Sequence, residues 1–279
     1  MRIEVLLSTM FQKNFEIVKK CNLKTDAIII NQCDKQEIRE KEYSFGKVKM
    51  ISINERGLSK SRNMALKNST ADICILADDD IVFHDNYPIL IEKAFSEILD
   101  ADVIVFNIIS KNVEKRSQEK LFKKIKKIPF YKSYSSVHIA FKRKSIQNNN
   151  INFDINFGSG SGKYSFAEDS LFFSEIHKHG LKSYVYPAII ADLYTYESTW
   201  FTGFNKKYFY DTGAFLAAGY PILNKIYKWY YPIKLYKKST LSFFEIIKYI
   251  DLGIDGFSEG KKYDDKIQEV SNNDIYKKK

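Results

Sequence analysis

Three consecutive aspartates, Asp78, Asp79 and Asp80, are the residues whose types and spacing most directly suggest chemistry in this sequence. They follow the apolar run from Ile73 to Ala77, which predicts three carboxylates at the C-terminal end of a buried strand. A cation coordinated through their oxygens would relieve the mutual repulsion, and Mg²⁺ or Mn²⁺ suits such ligands and can bridge to phosphates. An acidic turn that caps the next helix is the simpler alternative.

A second acidic pair, Glu168 and Asp169, stands within a helical pattern that runs from Phe166 to His179 and is closed by Gly180. A carboxylate can act as a general base, taking a proton from a hydroxyl group as that hydroxyl attacks. Acidic residues also favour a helix N-terminus for purely structural reasons. The sequence leaves both interpretations open for this pair.

Arg62 lies in the first turns of a predicted helix, within the segment Arg56 to Asn63. There its guanidinium could pair with phosphate oxygens, adding a charge-assisted contact to the attraction that a helix N-terminus has for anions. A surface helix with only a structural role is the alternative.

The elements that must position these residues follow from hydrophobic patterning. Short apolar runs alternate with helical patterns in the first hundred residues, which favours βαβ units around a mostly parallel sheet flanked by helices. The predicted strands are Ile3 to Ser8, Asp26 to Asn31, Lys47 to Ile53, Ile73 to Ala77, Val103 to Ile109 and Ser136 to Phe141. The predicted helices are Asn14 to Lys20, Leu58 to Lys67, and one from Asn86 whose apolar face includes Leu99. The basic stretch from Lys111 to Lys132 is predicted to be a surface helix or loop.

Taken together, the chain resembles inverting glycosyltransferases of family 2, which have the GT-A fold, a Rossmann-like α/β fold that binds nucleotide-diphospho-sugars. The aspartate run resembles the family's Asp-x-Asp-like motif. That resemblance implies either Asp78 and Asp80 as the outer pair, or Asp79 and Asp80 as metal ligands with Asp78 near the nucleotide sugar; the second alignment is favoured.

The same resemblance implies the nucleotide-sugar site. Gly57 to Asn63 resembles the family's Gly-x-x-x-x-Arg-Asn segment, which implies Arg56 and Arg62 near the nucleotide. Ser8 and Thr9, together with Asn31, occupy the family's base-binding positions. Here Asn31-Gln32 replaces the usual acidic pair, so the nucleotide stays undetermined.

For the acceptor side, the segment from Phe166 to Phe172 resembles the family's Glu-Asp motif. It implies Asp169 as the base, Glu168 as a residue that orients the acceptor or shares that role, and Trp200 as an acceptor contact. Many family members carry a further His ligand downstream. This chain has none there, so Asp192, Tyr196 and Glu197 remain alternatives for the third metal ligand.

The resemblance predicts a catalytic domain over residues 1–200, with a nucleotide-sugar-binding half at 1–110 and an acceptor half at 111–200. Residues 201–279 are predicted to form a helical C-terminal extension with a polar tail. Its Tyr, Trp and Lys residues suit either peripheral contact with a membrane interface or an aromatic subdomain that covers the acceptor pocket.

Composition sets the remaining limits. Lys and Arg number 44 against 34 Asp and Glu, a formal charge of +10 that suits an anionic partner. We expect no export signal and no membrane span, because every apolar stretch is interrupted early. Three cysteines without metal-site spacing are expected to be reduced. These features predict a cytoplasmic protein. The resemblance implies an enzyme with no nucleic-acid partner, and a peripheral contact of the extension with the inner face of the plasma membrane stays one of the two alternatives.

The resulting prediction is metal-dependent transfer of a sugar from a nucleotide diphosphate sugar to the hydroxyl of a glycan or lipid-linked saccharide. The resemblance implies inversion at the anomeric carbon and a role in bacterial capsule, O-antigen or other surface-polysaccharide synthesis. Two alternatives remain: a metal-dependent nucleotidyltransferase or phosphoesterase, and a non-enzymatic basic module that binds membrane or nucleic acid.

Overall fold

The computed structural model describes residues 1–112, 121–194 and 201–276. The chain divides into two compact units. The first comprises Met1–Asp154 and Phe172–Ser198, and the second comprises Ile155–Leu171 and Thr199–Lys279.

The first unit is built on one mixed sheet of ten strands, with the spatial order β3-β4-β2-β1-β5-β9-β7-β10-β6 and β8 paired to β10. Strands β4, β2, β1 and β5 run parallel to one another, as β7 and β10 do, whereas β3, β6, β8 and β9 are antiparallel to their neighbours. The strands are β1 Ile3–Met10, β2 Asp26–Gln32, β3 Glu37–Tyr43, β4 Gly46–Ile53, β5 Ile73–Asp78, β6 Ile81–Phe83, β7 Val103–Ser110, β8 Lys126–Lys127, β9 Ile139–Lys142 and β10 Ser183–Leu193.

Both faces of this sheet are covered, which explains why its inner strands read as continuous apolar runs. Successive side chains of a strand point to opposite faces. Val5 and Leu7 of β1 therefore join one core cluster, while Leu6 between them joins the other. The helices of this unit are α1 Glu16–Lys20, α2 Leu58–Asn68, α3 Tyr87–Glu97 and α4 Arg143–Asn148, together with the part of α5 Glu168–Lys178 that begins at Phe172.

Two local predictions were wrong. Helix α3 ends at Glu97, so Leu99 lies beyond it and is 79% exposed instead of packing on the apolar face. The strand predicted from Ser136 begins as a short 3₁₀ helix, Ser136–His138, and becomes extended only in β9. The predicted element between Lys111 and Lys132 lies partly outside the described residues, and β8 falls within its described part.

The second unit has a helical C-terminal region, as predicted. It contains α6 Lys206–Gly219, α7 Asn224–Tyr227, α8 Tyr230–Leu235, α9 Phe243–Ser258 and α10 Tyr263–Tyr276. Helices α6 and α9 pack with their backbones in close contact, because Gly213 and Gly253 lie at the crossing. A Cβ atom added to Gly213 would lie 2.0 Å from the Ile250 carbonyl oxygen, which leaves room for glycine alone.

Among the helices in the described part of the chain, none is long and apolar enough to cross a membrane.

Candidate active site

The carboxyl ends of the parallel strands bring several predicted site residues together in the first unit. In the register of the sheet, Ser8 of β1 lies opposite Asp78 of β5, and Thr9 lies opposite Asn31 of β2. Asp79 and Asp80 form the turn between β5 and β6. Open α/β sheets bind ligands at this edge, beyond the carboxyl ends of their strands.

Arg62 and Asp78 form an ion pair at this edge. The Arg62 side chain is 3% exposed and donates to both carboxylate oxygens of Asp78, at 3.2 and 3.3 Å. Its guanidinium also lies over the Phe153 ring, 5.3 Å from the centroid. Arg62 is therefore directed at Asp78, and the predicted contact with phosphate stays a prediction.

The segment from Gly57 to Asn63, which includes Arg62 and the first turns of helix α2, is fixed at both of its ends. Gly57 precedes the helix with φ of 122°, a backbone conformation that L side chains rarely adopt. Asn63 pairs with the backbone of Phe153 in both directions: its amide donates to the carbonyl at 2.8 Å and its oxygen accepts from the N–H at 2.8 Å. The Arg-Asn pair thus ties the helix to a distant loop segment and fixes where Arg62 points.

The carboxylates of Asp79 and Asp80 have different surroundings from that of Asp78. Thr9 donates through Oγ1 to Oδ2 of Asp79 at 2.6 Å, and Gln12 donates to the same Thr9 oxygen at 2.9 Å. Burial, followed by the negative charges of Asp78 and Asp79, raises the pKa of Asp80 to about 6. The Asp80 carbonyl accepts from the N–H of Tyr194 at 2.8 Å, which anchors the turn.

The carboxylate oxygens of Asp79 and Asp80 suit a hard divalent cation, because Mg²⁺ is usually held by one or two carboxylates together with substrate phosphates. Burial is the main cause of the raised pKa of Asp80, and the neighbouring negative charges, which a cation would relieve, add to it. No group of three His, Cys, Asp or Glu residues is arranged to hold a metal within the described ranges. Asp192, one alternative for a third ligand, pairs with Lys111 at 2.9 Å and His84 at 3.4 Å, while Tyr196 and Glu197 lie outside the described residues.

Two other predicted site residues at the strand ends, Asn31 and Ser8, form hydrogen bonds within the first unit. Asn31 is fully buried, and its amide exchanges hydrogen bonds with the backbone of Gln12 and donates to Ser52. Its interactions therefore shape the loop after β1. Ser8 accepts from Ser61 of α2 at 2.7 Å.

Arg56 lies between β4 and α2 and is partly exposed. It donates to Asp34 at 2.8 Å, and its guanidinium lies over the Phe11 ring, 5.0 Å from the centroid. Of the two predicted arginines, Arg56 is the one with an accessible side chain.

Glu168 and Asp169 open helix α5 in the second unit, as the acidic motif predicted. The preceding residue, Ala167, has φ of 85°, an uncommon value for a residue other than glycine. Glu168 packs over Gly158, where an added Cβ would lie 2.9 Å from the Glu168 Cδ. The turn that presents the two carboxylates is thus closely fixed by its own unit.

An ion pair between the buried Asp211 and the partly exposed Lys207, which the sequence did not single out, holds the residues just before this turn. Asp211 of α6 accepts at Oδ2 from the Ser165 N–H at 2.9 Å and from Lys207 Nζ at 2.6 Å, and Lys207 also donates to the Ser165 hydroxyl at 2.9 Å. The Asp211 side chain is 1% exposed, and its Oδ1 has no partner among the described residues. Burial raises the pKa of Asp211, although Lys207 opposes that shift. The i, i+4 spacing of Lys207 and Asp211 was the available signal. Trp200, the predicted acceptor contact, lies outside the described residues.

Solved structures with a similar fold include two that were determined with a nucleotide sugar. Residues 1–349 of S. aureus TarS, in complex with UDP-GlcNAc, match with a TM-score of 0.58 and 13% identity over 94% of this chain and 93% of that chain. The mannosyltransferase PcManGT from Pyrobaculum calidifontis, in complex with GDP-Man and Mn²⁺, matches with a TM-score of 0.50 and 10% identity over 98% of this chain and 80% of that chain. At these identities the likeness shows the fold, and it confirms the predicted GT-A architecture. No curated protein matches the chain in sequence.

The family model described as glycosyl transferase family 2 matches residues 12–168, more than half of the chain. Those residues include the aspartate run, the Arg-Asn segment and Glu168. The chain therefore belongs to glycosyl transferase family 2 and is a glycosyltransferase.

Proposed function

We propose that this glycosyltransferase moves a sugar from a nucleotide diphosphate sugar to an acceptor hydroxyl, with inversion at the anomeric carbon. The observation that carries the proposal is the meeting of Ser8, Thr9, Asp78 and the Asp79-Asp80 turn at one edge of the sheet. In a family 2 chain, carboxylates at this edge suit a metal-bound diphosphate.

Asp79 and Asp80 would hold Mg²⁺ or Mn²⁺ in this proposal, with diphosphate oxygens as further ligands. The Arg62 pair favours this choice, because the charge of Asp78 is already balanced by a buried guanidinium. When bound, such a cation stabilises the negative charge that develops on the departing diphosphate. Asp78, held by Arg62, would instead contact the nucleotide sugar.

The nucleotide would bind at the strand ends near Ser8, Thr9 and Asn31. Arg56 suits a phosphate contact best, since its side chain is partly exposed and could exchange its surface pair with Asp34 for phosphate. Arg62 would act on the same ligand indirectly, because its hydrogen bonds orient the Asp78 carboxylate. In this proposal residues 1–110 form the donor half, 111–200 the acceptor half, and 201–279 the extension.

Asp169 is the proposed base, which takes the acceptor hydroxyl's proton as its oxygen attacks the anomeric carbon opposite the leaving diphosphate. Glu168 would orient the acceptor or share the proton. The fixed turn around Ala167 supports a catalytic use of these two side chains, because strained backbone is often retained at functional positions.

The proposed acceptor is a glycan or lipid-linked saccharide, with Trp200 as a contact, in bacterial capsule, O-antigen or other surface-polysaccharide synthesis. This part of the proposal is supported by the family alone. A nucleotidyltransferase or phosphoesterase would use the same carboxylates but would release products without sugar transfer.

The test is thermal unfolding of the wild type and Asp79→Ala with a panel of nucleotide diphosphate sugars, with and without Mn²⁺. We expect one class of donor to raise the Tm only when Mn²⁺ is present, and the variant to lose that increase. Asp85→Ala is a matched control, because Asp85 is an exposed aspartate of the same unit that pairs with Lys24. An equal Tm increase in Asp79→Ala would remove Asp79 from the site.

A further inference from the structure

The second unit has a strongly apolar surface between α6 and the first turn of α9, here called the interfacial face. Its side chains are large and exposed: Ile222 is 89% exposed, Phe244 78% and Ile233 67%. The residues that define it are Ile222, Ile226, Trp229, Tyr230, Ile233 and Phe244. Such clusters of exposed apolar residues mark interaction surfaces, whereas single exposed ones are ordinary.

The face has a defined geometry. Four of these residues share one side of the short segment that contains helices α7 and α8. Ile226 and Tyr230 are four positions apart, and Tyr230 and Ile233 are three apart, which is the spacing of neighbours on a helix surface; Trp229 lies between the two helices. The opposite side of α8 is turned inwards, where Pro232 and Leu235 are buried. The segment therefore has two apolar sides. One packs into the unit, and the other is exposed.

The charges around the face have one sign. From Thr212 to Phe244 the sequence contains no Asp or Glu but five lysines: Lys225, Lys228, Lys234, Lys237 and Lys238. Lys228 pairs with Asp251 at 2.8 Å, which leaves the other four without an ion pair among the described residues. Lys234 donates to the Tyr230 hydroxyl at 2.7 Å, so charge and aromatic ring lie side by side.

We propose that the interfacial face docks on an anionic lipid surface, with its isoleucines and Phe244 in the acyl boundary and its lysines at the headgroups. Aliphatic side chains flanked by Trp, Tyr and Lys are the composition of helices that lie in the membrane interface. A second copy of the chain fits less well, because it would bring two sets of unpaired lysines together. Nucleic acid fits less well too: Trp229, Tyr230 and Phe244 could stack on bases, but a nucleic acid would not bury the three exposed isoleucines as lipid would.

The short helices would lie along the interface, with their outward sides buried to the depth of one side chain. This inference goes beyond sugar transfer and does not depend on it. Binding to lipid can be measured without donor or acceptor.

The first experiment is co-sedimentation of the full chain with vesicles of phosphatidylcholine, with and without phosphatidylglycerol. We expect about tenfold tighter binding to the anionic vesicles, weakened by added salt. Equal binding to both compositions, or binding to neither, would overturn the proposal.

Matched variants locate the contact. Ile226→Ser with Ile233→Ser should lower binding about tenfold, whereas Ile89→Ser, at a 69% exposed site of α3, should leave it unchanged. Lys237→Ala with Lys238→Ala should also weaken binding. Lys123→Ala with Lys124→Ala tests another basic run of the sequence and should have no effect. The reverse pattern would assign lipid binding to that run and overturn the proposal.

Tryptophan fluorescence gives an independent measurement, because the chain has only two tryptophans. In Trp200→Phe the emission comes from Trp229 alone, and we expect it to shift to the blue when anionic vesicles are added. Trp229→Phe should not show that shift. If size-exclusion chromatography instead shows a dimer that the isoleucine variant dissociates, and vesicles cause no shift, the face is a contact between two copies and the lipid proposal is wrong.

Discussion

Arg62 and Asp78 are joined by a two-oxygen contact beneath the proposed donor site, with distances of 3.2 and 3.3 Å from one guanidinium nitrogen. The arginine is buried against Phe153, while the Asp78 side chain is 30% exposed at the edge of the sheet. The pair therefore links the core of the first unit to a carboxylate that faces the ligand side.

Replacing Arg62 with alanine should cost about 2–4 kcal/mol in the free energy of unfolding, because it removes a buried partner of Asp78 and leaves a cavity at Phe153. Chemical denaturation measures this loss. Arg56→Ala, which breaks a surface pair with Asp34, should cost less than about 1 kcal/mol. Similar losses in both variants would show that the buried Arg62–Asp78 pair stabilises the fold no more than the surface pair of Arg56 with Asp34.

The Thr9 hydroxyl should matter for metal affinity, since it orients the Asp79 carboxylate with a 2.6 Å hydrogen bond. Removing the partner of a metal ligand typically weakens affinity about 10–100-fold. We expect that loss in Thr9→Val, and near wild-type affinity in Thr9→Ser, which keeps the hydroxyl. Calorimetric titration of Mn²⁺ in the presence of nucleoside diphosphate measures it. Equal affinities for the valine and serine variants would contradict the role of the hydrogen bond.

Asp169→Asn should retain metal-dependent donor binding while losing sugar transfer by about 10²–10⁴-fold, because an amide cannot accept the acceptor's proton. A transfer assay and a donor thermal shift, run on the same preparation, separate the two effects. Glu175→Gln, at the third acidic residue of α5, is the control and should keep its activity. Undiminished transfer by Asp169→Asn would remove Asp169 as the base.

Asp211 should make the stability of the chain depend on pH. Burial raises the pKa of Asp211 in the folded state above its ordinary value of 3.8, so the folded chain binds a proton more readily than the unfolded one. The contribution of Asp211 to stability is therefore fully present below pH 3.8 and is lost as the pH rises through the folded-state pKa.

The measurement for this prediction is the difference in unfolding free energy between wild type and Asp211→Asn, followed from about pH 4 to about pH 7. We expect the wild type to lose stability relative to the variant as the pH rises. An increase over that range would mean that Lys207 outweighs burial and that the pKa is lowered.

Gly213→Ala should destabilise the second unit by at least about 2 kcal/mol, because its Cβ would collide with the backbone of α9 and force the helices apart. Gly219→Ala in the same helix should cost much less, since the nearest atom is the flexible Leu171 side chain at 3.2 Å. Thermal unfolding compares the two. If both variants unfold at the same temperature, the close crossing of α6 and α9 contributes little to stability.

The sequence predicted the strands that are buried on both faces and missed those with another pattern. β1, β2, β4, β5 and β7 were found because two covered faces require continuous apolar runs. β3 was missed because it is a polar strand at the edge of the sheet, and β6 because three residues are too few for a pattern. β10 contains register shifts between Val185 and Ala191, which interrupt its alternation.

In the candidate site too, features set by neighbouring residues in the sequence were predicted, and features set by residues far apart in the sequence were not. The positions of Asp78, Asp79 and Asp80 followed from one apolar run and the turn after it. The environment of Arg62 did not, because it depends on Phe153, far along the chain. Asp211 was likewise missed: its i, i+4 spacing from Lys207 is a local signal, but its hydrogen bond to Ser165 joins residues 46 positions apart.

The two borders of the sheet have a consequence for how the enzyme behaves at high concentration. One border is β3, an exposed strand rich in Glu, Lys and Arg, and the other consists of β6 and β8, which are three and two residues long. Charged and very short border strands are poor templates for a strand of another molecule. The sheet can thus hold many strongly apolar inner strands during synthesis and crowding while resisting edge-to-edge aggregation.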